Sequence, residues 1–384
     1  MSGSVSRRSV ITSIPATAAT AAFADARALG DAHYIEHAVM EAIKSHACPG
    51  VSVAIGRPST IIGACGWGFA NLETRTAVSE RSIFRIGSLT KQFAAAAILK
   101  LAQMGRLDVH DSPAAYLPSA GVLKPVTVMQ LMNHTAGLHS DEGGSDDPTC
   151  AMPARTQIEL AAEIARQTKP FDFDPGAAWL YSNANYIVLG AIIESITRTP
   201  FSQAMSELVF EPLGLRSLAV DAPSEVVVDR ASGYSSPKSG GAPFENAAYL
   251  DVSQAGAAGA MRGSAVDLCR WHDALLSNEL LDPFHLNLML SPGRLRDGRL
   301  SSANRFSAND AHYGDLEYGC GLLVSGPTER NASILHYGMI NGFSCVLQTF
   351  TKSRTTFCVL CNSDIGPGMP FSAIRKVIIS RYLS

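Results

Sequence analysis

Ser88-Leu89-Thr90-Lys91-Gln92-Phe93-Ala94-Ala95-Ala96-Ala97 is the stretch of sequence on which the interpretation of this chain depends. The alanine-rich run predicts a helix that begins at Ser88 and continues to about Met104, where Gly105 ends it. A serine and a lysine three residues apart share one face of that helix. A serine hydroxyl is a poor nucleophile until a base removes its proton, and burial can lower the pKa of a lysine enough for it to be that base. The pattern therefore predicts Ser88 as a nucleophile and Lys91 as its activating base.

The S-x-x-K pattern is short, and about one copy is expected by chance in a chain of this composition. A second copy stands at Ser235-Ser236-Pro237-Lys238. Pro237 interrupts any helix there and the segment is rich in Gly and Ser, so this copy does not present both side chains on one helical face. On the first motif alone, an ordinary helix start with a solvated lysine stays an open alternative.

Two further motifs accompany the S-x-x-K. Tyr181-Ser182-Asn183 precedes a helical pattern that runs to Thr197, and His336-Tyr337-Gly338 leads into a strand pattern. This ordered set resembles the serine β-lactamase and penicillin-binding-protein superfamily, in its class C β-lactamase, D-aminopeptidase and esterase branch. The resemblance runs in order from about residue 45 to 363. It includes further matching segments at 131–138, 212–215, 256–276 and 318–321.

The resemblance implies an acyl-enzyme mechanism. Ser88 would attack an ester or amide carbonyl, and Lys91 would accept its proton. Tyr181 would pass the proton to the leaving group and activate water for deacylation. Asn183 would hydrogen-bond Lys91 and the substrate amide. The backbone N–H groups of Ser88 and Met339 would form the oxyanion hole.

His336 is a departure from the family pattern. Class C β-lactamases and most DD-peptidases have lysine at this position, a permanent cation that holds a substrate carboxylate, whereas histidine is mostly neutral at pH 7. The departure favours an esterase or a D-amino-acid peptidase, with a β-lactamase or a penicillin-binding sensor of little turnover as alternatives. His312-Tyr313-Gly314 is a second His-Tyr-Gly, but no strand pattern follows it. His336 and Gly338 are therefore the predicted substrate-binding residues of this motif.

Strand patterns lie at both ends of the chain and helical patterns dominate its middle. The predicted strands are 51–55, 60–65, 321–325, 342–350 and 356–360, and the main predicted helices are 31–47, 88–104, 156–167, 185–197, 266–276 and 371–382. The simplest packing is an α/β fold of the serine β-lactamase/DD-peptidase type, with one antiparallel sheet built from both ends of the chain and flanked by helices. We expect an α/β domain formed by 25–114 and 291–384, and an all-helical domain at 115–290.

The composition of the chain and its first 24 residues indicate what the protein binds and where it is located. The net charge of −3 over 384 residues, without a run of Lys or Arg, argues against nucleic acid as a partner, and no stretch is apolar enough for stable membrane insertion. We expect a small-molecule or short-peptide substrate. Arg7-Arg8 followed by a weakly apolar run and Ala22-Phe23-Ala24 predicts a twin-arginine signal peptide at 1–24, hence export to the periplasm or the medium.

Two patterns suggest metal or redox chemistry, and neither is favoured. His33-Tyr34-Ile35-Glu36-His37 fits the H-x-x-E-H arrangement of some zinc peptidases, but no second Glu-bearing helix of the expected kind follows. Cys358 and Cys361 form a C-x-x-C inside a strand pattern, where residues three apart point to opposite faces. We therefore expect neither a metal nor a cofactor. His134 is interpreted as a structural residue after Leu131, and the loops 139–155 and 233–247 are expected to govern substrate choice.

Overall fold

The computed structural model describes residues 32–139, 154–237, 242–326, 331–366 and 368–383. The predicted signal peptide at 1–24 lies outside these residues. The α-helices are α1 (Ala32–Lys44), α2 (Thr90–Gln103), α3 (Val128–Met132), α4 (Gln157–Arg166), α5 (Asn183–Thr197), α6 (Phe201–Met205), α7 (Gly256–Gly259), α8 (Ala265–Leu276), α9 (Pro283–Leu290) and α10 (Phe371–Tyr382). The strands are β1 (Gly50–Arg57), β2 (Thr60–Asn71), β3 (Thr76–Ala77), β4 (Phe84–Arg85), β5 (Ala219–Val220), β6 (Tyr234–Ser235), β7 (Glu245–Asn246), β8 (Met261–Gly263), β9 (Glu317–Tyr318), β10 (Leu323–Val324), β11 (Ser333–Ile340), β12 (Phe343–Phe350) and β13 (Thr355–Cys361).

One antiparallel sheet joins the two ends of the chain, as the sequence predicts. Its strand order is β3-β2-β1-β13-β12-β11-β10-β9, so that β1 pairs with β13 and Val53 lies opposite Val359. Every residue of β12 and β13 is buried, because helices cover both faces of the sheet. A sheet covered on both sides needs apolar residues on both faces of its strands, and apolar side chains of β12 and β13 do lie on both faces.

The two faces of the sheet belong to separate hydrophobic clusters. Val53 and Val359 pack with α1 and α10, whereas Ala54 and Cys358 pack with α2 and α8. Cys361 lies in the first of these clusters, on the face opposite Cys358. The pleat of the strand therefore separates the two cysteines of the C-x-x-C, as the spacing indicates.

The region 115–290 differs in two details from the all-helical domain expected there, and its boundaries stay a prediction. It contains the short strands β5 to β8. The sequence did not predict them, because strands of two or three residues are too short to show an alternating pattern. The region also contains α8, which packs on β1 and β13 of the main sheet. An amphipathic pattern shows that a helix has a buried face but does not show which body covers that face. None of the helices in the described ranges has the length and apolarity that a membrane span requires.

The start of α2 places the S-x-x-K beside the sheet. The helix begins at Thr90, two residues later than predicted, because Gly87–Leu89 form a 3-10 turn that Gly87 enters with a φ of +48°. The neighbouring strand β11 pairs with β10 only at Ile334 and Leu335. Within the described residues, the part of β11 from His336 to Ile340 has no strand partner on that edge, and β11 contacts the turn that carries Ser88.

Candidate active site

The Lys91 side chain is fully buried and makes three polar contacts. Its Nζ lies 3.1 Å from Ser88 Oγ, 2.8 Å from Asn183 Oδ1 and 2.8 Å from the Ala258 carbonyl oxygen. Burial lowers the pKa of Lys91 well below its ordinary value. A neutral amine has two N–H donors and one lone pair. If the amide and the carbonyl accept the two N–H groups, the lone pair is directed at the Ser88 hydroxyl.

The backbone around Ser88 lies unusually close to β11. A Cβ added at Gly87 would stand 2.8 Å from the Met339 nitrogen, and a Cβ added at Gly338 would stand 2.1 Å from the Ile86 carbonyl oxygen. Both positions therefore require glycine, since a larger residue would force the turn and the strand apart. This close approach brings the backbone N–H of Met339, a predicted oxyanion donor, beside the Ser88 turn.

The Tyr181 ring packs against the Lys91 amine. The centre of its ring is 4.7 Å from Lys91 Nζ, and the Tyr186 ring is 5.6 Å from the same atom. Burial raises the pKa of Tyr181 well above its ordinary value and outweighs the hydrogen bond with Ser88 that lowers it. Tyr181 is thus a protonated phenol at neutral pH, which can relay a proton but is not a preformed base.

His336 is buried beneath this cluster and neutral. Its Nδ1 lies 2.5 Å from the Tyr337 carbonyl oxygen and its Nε2 lies 3.0 Å from Tyr318 Oη. Because a carbonyl oxygen only accepts, Nδ1 carries the proton and Nε2 accepts from the phenol. Burial lowers the pKa of His336 to about 3. The sequence-based expectation of a mostly neutral imidazole agrees with this environment.

His134 holds the Tyr-x-Asn segment in place. Its backbone has a φ of +63°, and its Nδ1 accepts from the Ser182 backbone N–H at 3.3 Å and from the Asn185 side-chain amide at 3.0 Å. Its ring lies 4.5 Å from the Tyr181 ring, between centroids. Burial lowers the pKa of His134 well below its ordinary value. The structural role expected for His134 is consistent with these contacts, but its direct packing on Tyr181 was not foreseen.

Sequence reasoning also missed two contributors to this site. The Ala258 carbonyl gives no side-chain signal, and only its place in the matched segment 256–276 pointed to it. Tyr313 belongs to the rejected second His-Tyr-Gly, and the centre of its ring lies 6.2 Å from that of Tyr181. Residues Ala308–Tyr313 form a 3-10 helix, not a strand, so the choice of His336 over His312 agrees with the local structure.

An open cleft of about 340 Å³ lies in front of these groups. Of the predicted site residues, Ser88, Asn183 and Met339 line it. Lys91, Tyr181 and His336 are not among the residues found to line the cleft, and Gly338 allows the close approach of β11 to the Ser88 turn. Part of the cleft lining is apolar and consists of Leu160, Ile164, Ile187, Leu250 and Ile340. Arg155 and Glu163 also line it and form an ion pair with each other.

The competing motifs are not assembled in this way. Ser235 donates to Asp364 at 2.8 Å, and Lys238 of the second S-x-x-K lies outside the described residues. His33 and His37 of the H-x-x-E-H are exposed on α1. In the ranges that the structure describes, no group of three His, Cys, Asp or Glu side chains is placed to hold a metal ion.

Comparison with known proteins agrees with this geometry. A family model described as Beta-lactamase matches residues 34–378. The Bacillus subtilis (strain 168) protein PbpX, named as a penicillin-binding protein, is 28% identical over 308 residues, which are 80% of this chain and 68% of PbpX. A D-aminopeptidase of Brucella anthropi is 30% identical over 192 residues, 48% of this chain and only 35% of that enzyme. A solved D-stereospecific amidohydrolase from Streptomyces sp. has a TM-score of 0.72 and 26% identity, covering 92% of this chain and 99% of that one. The expected fold class is confirmed.

Proposed function

Since this chain belongs to the β-lactamase family of serine hydrolases, we propose that it cleaves amide or ester bonds of short substrates through an acyl-enzyme on Ser88. The observation that carries the proposal is the buried Lys91 amine, 3.1 Å from Ser88 Oγ, with its other contacts supplied by Asn183 and Ala258. A lysine fixed in this way has the depressed pKa that a general base requires at neutral pH. An ordinary helix start with a solvated lysine does not have these properties.

The proposed reaction has two steps. Lys91 takes the hydroxyl proton as Ser88 Oγ bonds to the carbonyl carbon, and the N–H groups of Ser88 and Met339 stabilise the oxyanion. The proton passes through the Tyr181 phenol to the leaving amine or alkoxide, whose bond to the carbonyl breaks. Water then attacks the acyl-enzyme, its proton returns by the same route to Ser88 Oγ, and the acid is released. Asn183 positions both the amine of Lys91 and the substrate amide.

The substrate class follows from the charges near Ser88. Neutral His336 supplies no cation for a carboxylate next to the scissile bond, which disfavours a β-lactam or a terminal D-Ala carboxylate. The apolar side chains of the cleft lining fit an apolar acyl or side-chain group, whereas the carboxylate of Glu163 is already paired with Arg155 and adds no free charge. Together with the D-aminopeptidase and the D-stereospecific amidohydrolase among the similar proteins, this supports amides and esters of apolar D-amino acids as substrates.

The test compares D-phenylalanine p-nitroanilide, its L enantiomer and a p-nitrophenyl ester. We expect the wild type to turn over the ester and the D-anilide, and Ser88→Ala to lose both activities by at least about a thousandfold. Ser235→Ala is the matched control, because it removes the serine of the second S-x-x-K and is expected to keep full activity. Equal loss in the two variants, or turnover by Ser88→Ala, would contradict the assignment of the nucleophile.

A β-lactamase or a penicillin-binding sensor is the second candidate, favoured by the likeness to PbpX. An intact-mass time course with benzylpenicillin separates the possibilities. A lasting adduct that requires Ser88 indicates a sensor or a penicillin-binding peptidase, and a transient one indicates a β-lactamase. Absence of an adduct, with the D-anilide hydrolysed, supports the amidase or aminopeptidase.

We further propose that the chain is exported, on the basis of Arg7-Arg8 and Ala22-Phe23-Ala24. The test is expression in a Gram-negative host, with cell fractionation and N-terminal sequencing. Material in the periplasm that begins near Asp25 supports the proposal. Replacement of both arginines by lysine should then block export, and material that stays in the cytoplasm unprocessed contradicts the proposal.

A further inference from the structure

A second cavity, of about 270 Å³, lies beside the catalytic cleft. The two share Leu250 and Asn341 as lining residues, so they are separated by little more than these side chains. Three arginines line the second cavity, namely Arg85, Arg230 and Arg262. We call it the arginine cavity. None of these residues is part of the mechanism proposed above.

The backbone fixes the three arginines close together. Arg85 of β4 lies directly opposite Arg262 of β8, and Arg230 bridges to Ile83 just before β4. Like charges at directly opposed strand positions destabilise a sheet unless something compensates them. The compensating group is Asp221, whose side chain is only 1% exposed. The arginine cavity is thus built on paired strands and not on a loose surface loop.

The positive charge exceeds what the surrounding acids neutralise. Asp221 accepts from Arg85 at 2.9 Å and from Arg230 at 2.8 Å, and its Oδ1 lies 3.2 Å from Arg262 Nε in an ion pair. Glu225 accepts from Arg262 at 2.7 Å, but its side chain is 49% exposed. Asp221 is the one carboxylate among the residues found to line the cavity. Three guanidinium groups against these two carboxylates leave a net positive charge.

Hydrogen-bond donors are also in excess. Each guanidinium carries five N–H donors in a planar fork. The contacts described above occupy only some of them, and the Nε atom of Arg230 is buried without a hydrogen-bond partner in the described structure. Buried polar groups without partners are costly, and a planar oxyanion matches the guanidinium fork with paired, charge-assisted hydrogen bonds.

We propose that the arginine cavity binds an oxyanion, either a carboxylate or a phosphate. The shared wall at Leu250 and Asn341 means that an extended substrate held at Ser88 could carry this anion, and a separate small anion could occupy the same place. The anion would therefore bind at the three arginines and not near neutral His336, where the scissile bond is proposed to lie. The oxyanion site itself does not depend on the proposed hydrolytic function, but the assignment to an extended substrate does.

The first experiment measures anion binding to the Ser88→Ala chain, which does not turn substrate over. Inorganic phosphate and succinate are titrated by calorimetry at constant ionic strength, with chloride as the reference anion. Arg230→Gln leaves Asp221 paired with Arg85 and Arg262, and we expect its Kd for both anions to rise about tenfold to a hundredfold, the effect of one or two charged hydrogen bonds. Arg81→Gln is the control, because Arg81 is 76% exposed and does not line the cavity. Binding that is absent, or unchanged in Arg230→Gln, overturns the proposal.

A measurement on the unmodified chain covers the case in which Arg230→Gln does not fold. Arginine modification by phenylglyoxal, located by mass spectrometry, should slow at Arg230 when phosphate is present and not at Arg81. Equal rates at Arg230 with and without phosphate contradict the site.

The source of the anion is decided by kinetics. D-phenylalanine peptides that end in glutamate are compared with the same peptides carrying neutral glutamine and an amide cap. A lower KM for the acidic peptides, lost in Arg230→Gln, assigns the site to substrate. Equal KM values with retained phosphate binding assign it to a separate anion. Failure of the peptides, the D-anilide and the aryl ester to react, with phosphate still bound, would refute the proposed function and leave the oxyanion site standing.

Discussion

Replacing Lys91 by methionine tests the central claim that this amine is neutral in the folded protein. Methionine keeps most of the volume of the side chain but removes the base and the donors to Asn183 and Ala258. Loss of a general base costs about 10²- to 10⁴-fold in rate, which is about 3 to 5 kcal/mol of transition-state stabilisation. We expect kcat/KM for an aryl ester to fall by that factor.

The same substitution has a signature in stability. Burial lowers the pKa of Lys91 in the folded state, so between that pKa and about 10.4 the unfolded chain binds a proton that the folded chain does not. In that window this group makes the free energy of unfolding of the wild type rise with pH by about 1.4 kcal/mol per unit, and fall by the same amount as pH is lowered. The methionine variant lacks this contribution. The wild-type minus variant difference should therefore rise with pH and level off above about 10.4.

Urea unfolding at pH 7, 8 and 9 measures this difference, and aryl-ester hydrolysis measures the rate. Lys100→Met is the matched control, since Lys100 lies on the same helix and donates to the Leu280 carbonyl at 3.0 Å, away from Ser88. Its activity should be unchanged. A difference that is flat with pH would mean that Lys91 is charged when folded, and a Lys91→Met variant within about tenfold of wild-type kcat/KM would refute its role as the base.

Three other predictions follow from the same geometry. Tyr181→Phe should keep the fold but slow turnover by about 10² or more, because the phenol that relays the proton is lost; wild-type rates in steady-state assays would rule that role out. Gly87→Ala should lower both the thermal midpoint and the activity, because its Cβ would meet the Met339 backbone at 2.7 Å in a turn with φ of +48°; an unchanged midpoint and rate would show that the turn can move. His272 is buried and burial lowers its pKa to about 3, so it stays neutral in the folded state while the unfolded chain protonates below about pH 6.5. Stability should fall as pH drops from about 6.5 towards 3, and His272→Gln should reduce that slope by up to about 1.4 kcal/mol per pH unit in urea titrations; an unaltered slope would refute the assignment.

The sequence by itself determined those features that depend on local spacing or on alternation. Ser88 and Lys91 are three residues apart, so one helical turn brings their side chains together wherever the helix packs. The strand patterns at 342–350 and 356–360 predicted β12 and β13, and the two-residue pleat predicted that Cys358 and Cys361 lie on opposite faces. The two-residue shift in the start of α2 came from Gly87, whose positive φ adds a 3-10 turn that no periodic pattern reveals.

The tertiary structure decided everything that depends on segments distant in the chain. Burial lowers the pKa of Lys91 and the pKa of His336. The burial of a residue depends on the segments that pack around it, and the residue type does not reveal those segments. The Ala258 carbonyl contacts Lys91 although the two residues are more than 160 positions apart in the sequence. A backbone carbonyl is present in every residue, so the residue type gives no sign of this contact. The arginine cavity arises because Arg85, Arg230 and Arg262 come together from three separated segments of the chain, so its positive charge cannot be inferred from the small net charge. Local helix geometry places Ser88 beside Lys91. Packing of distant segments decides the protonation state of Lys91 and which other groups contact it.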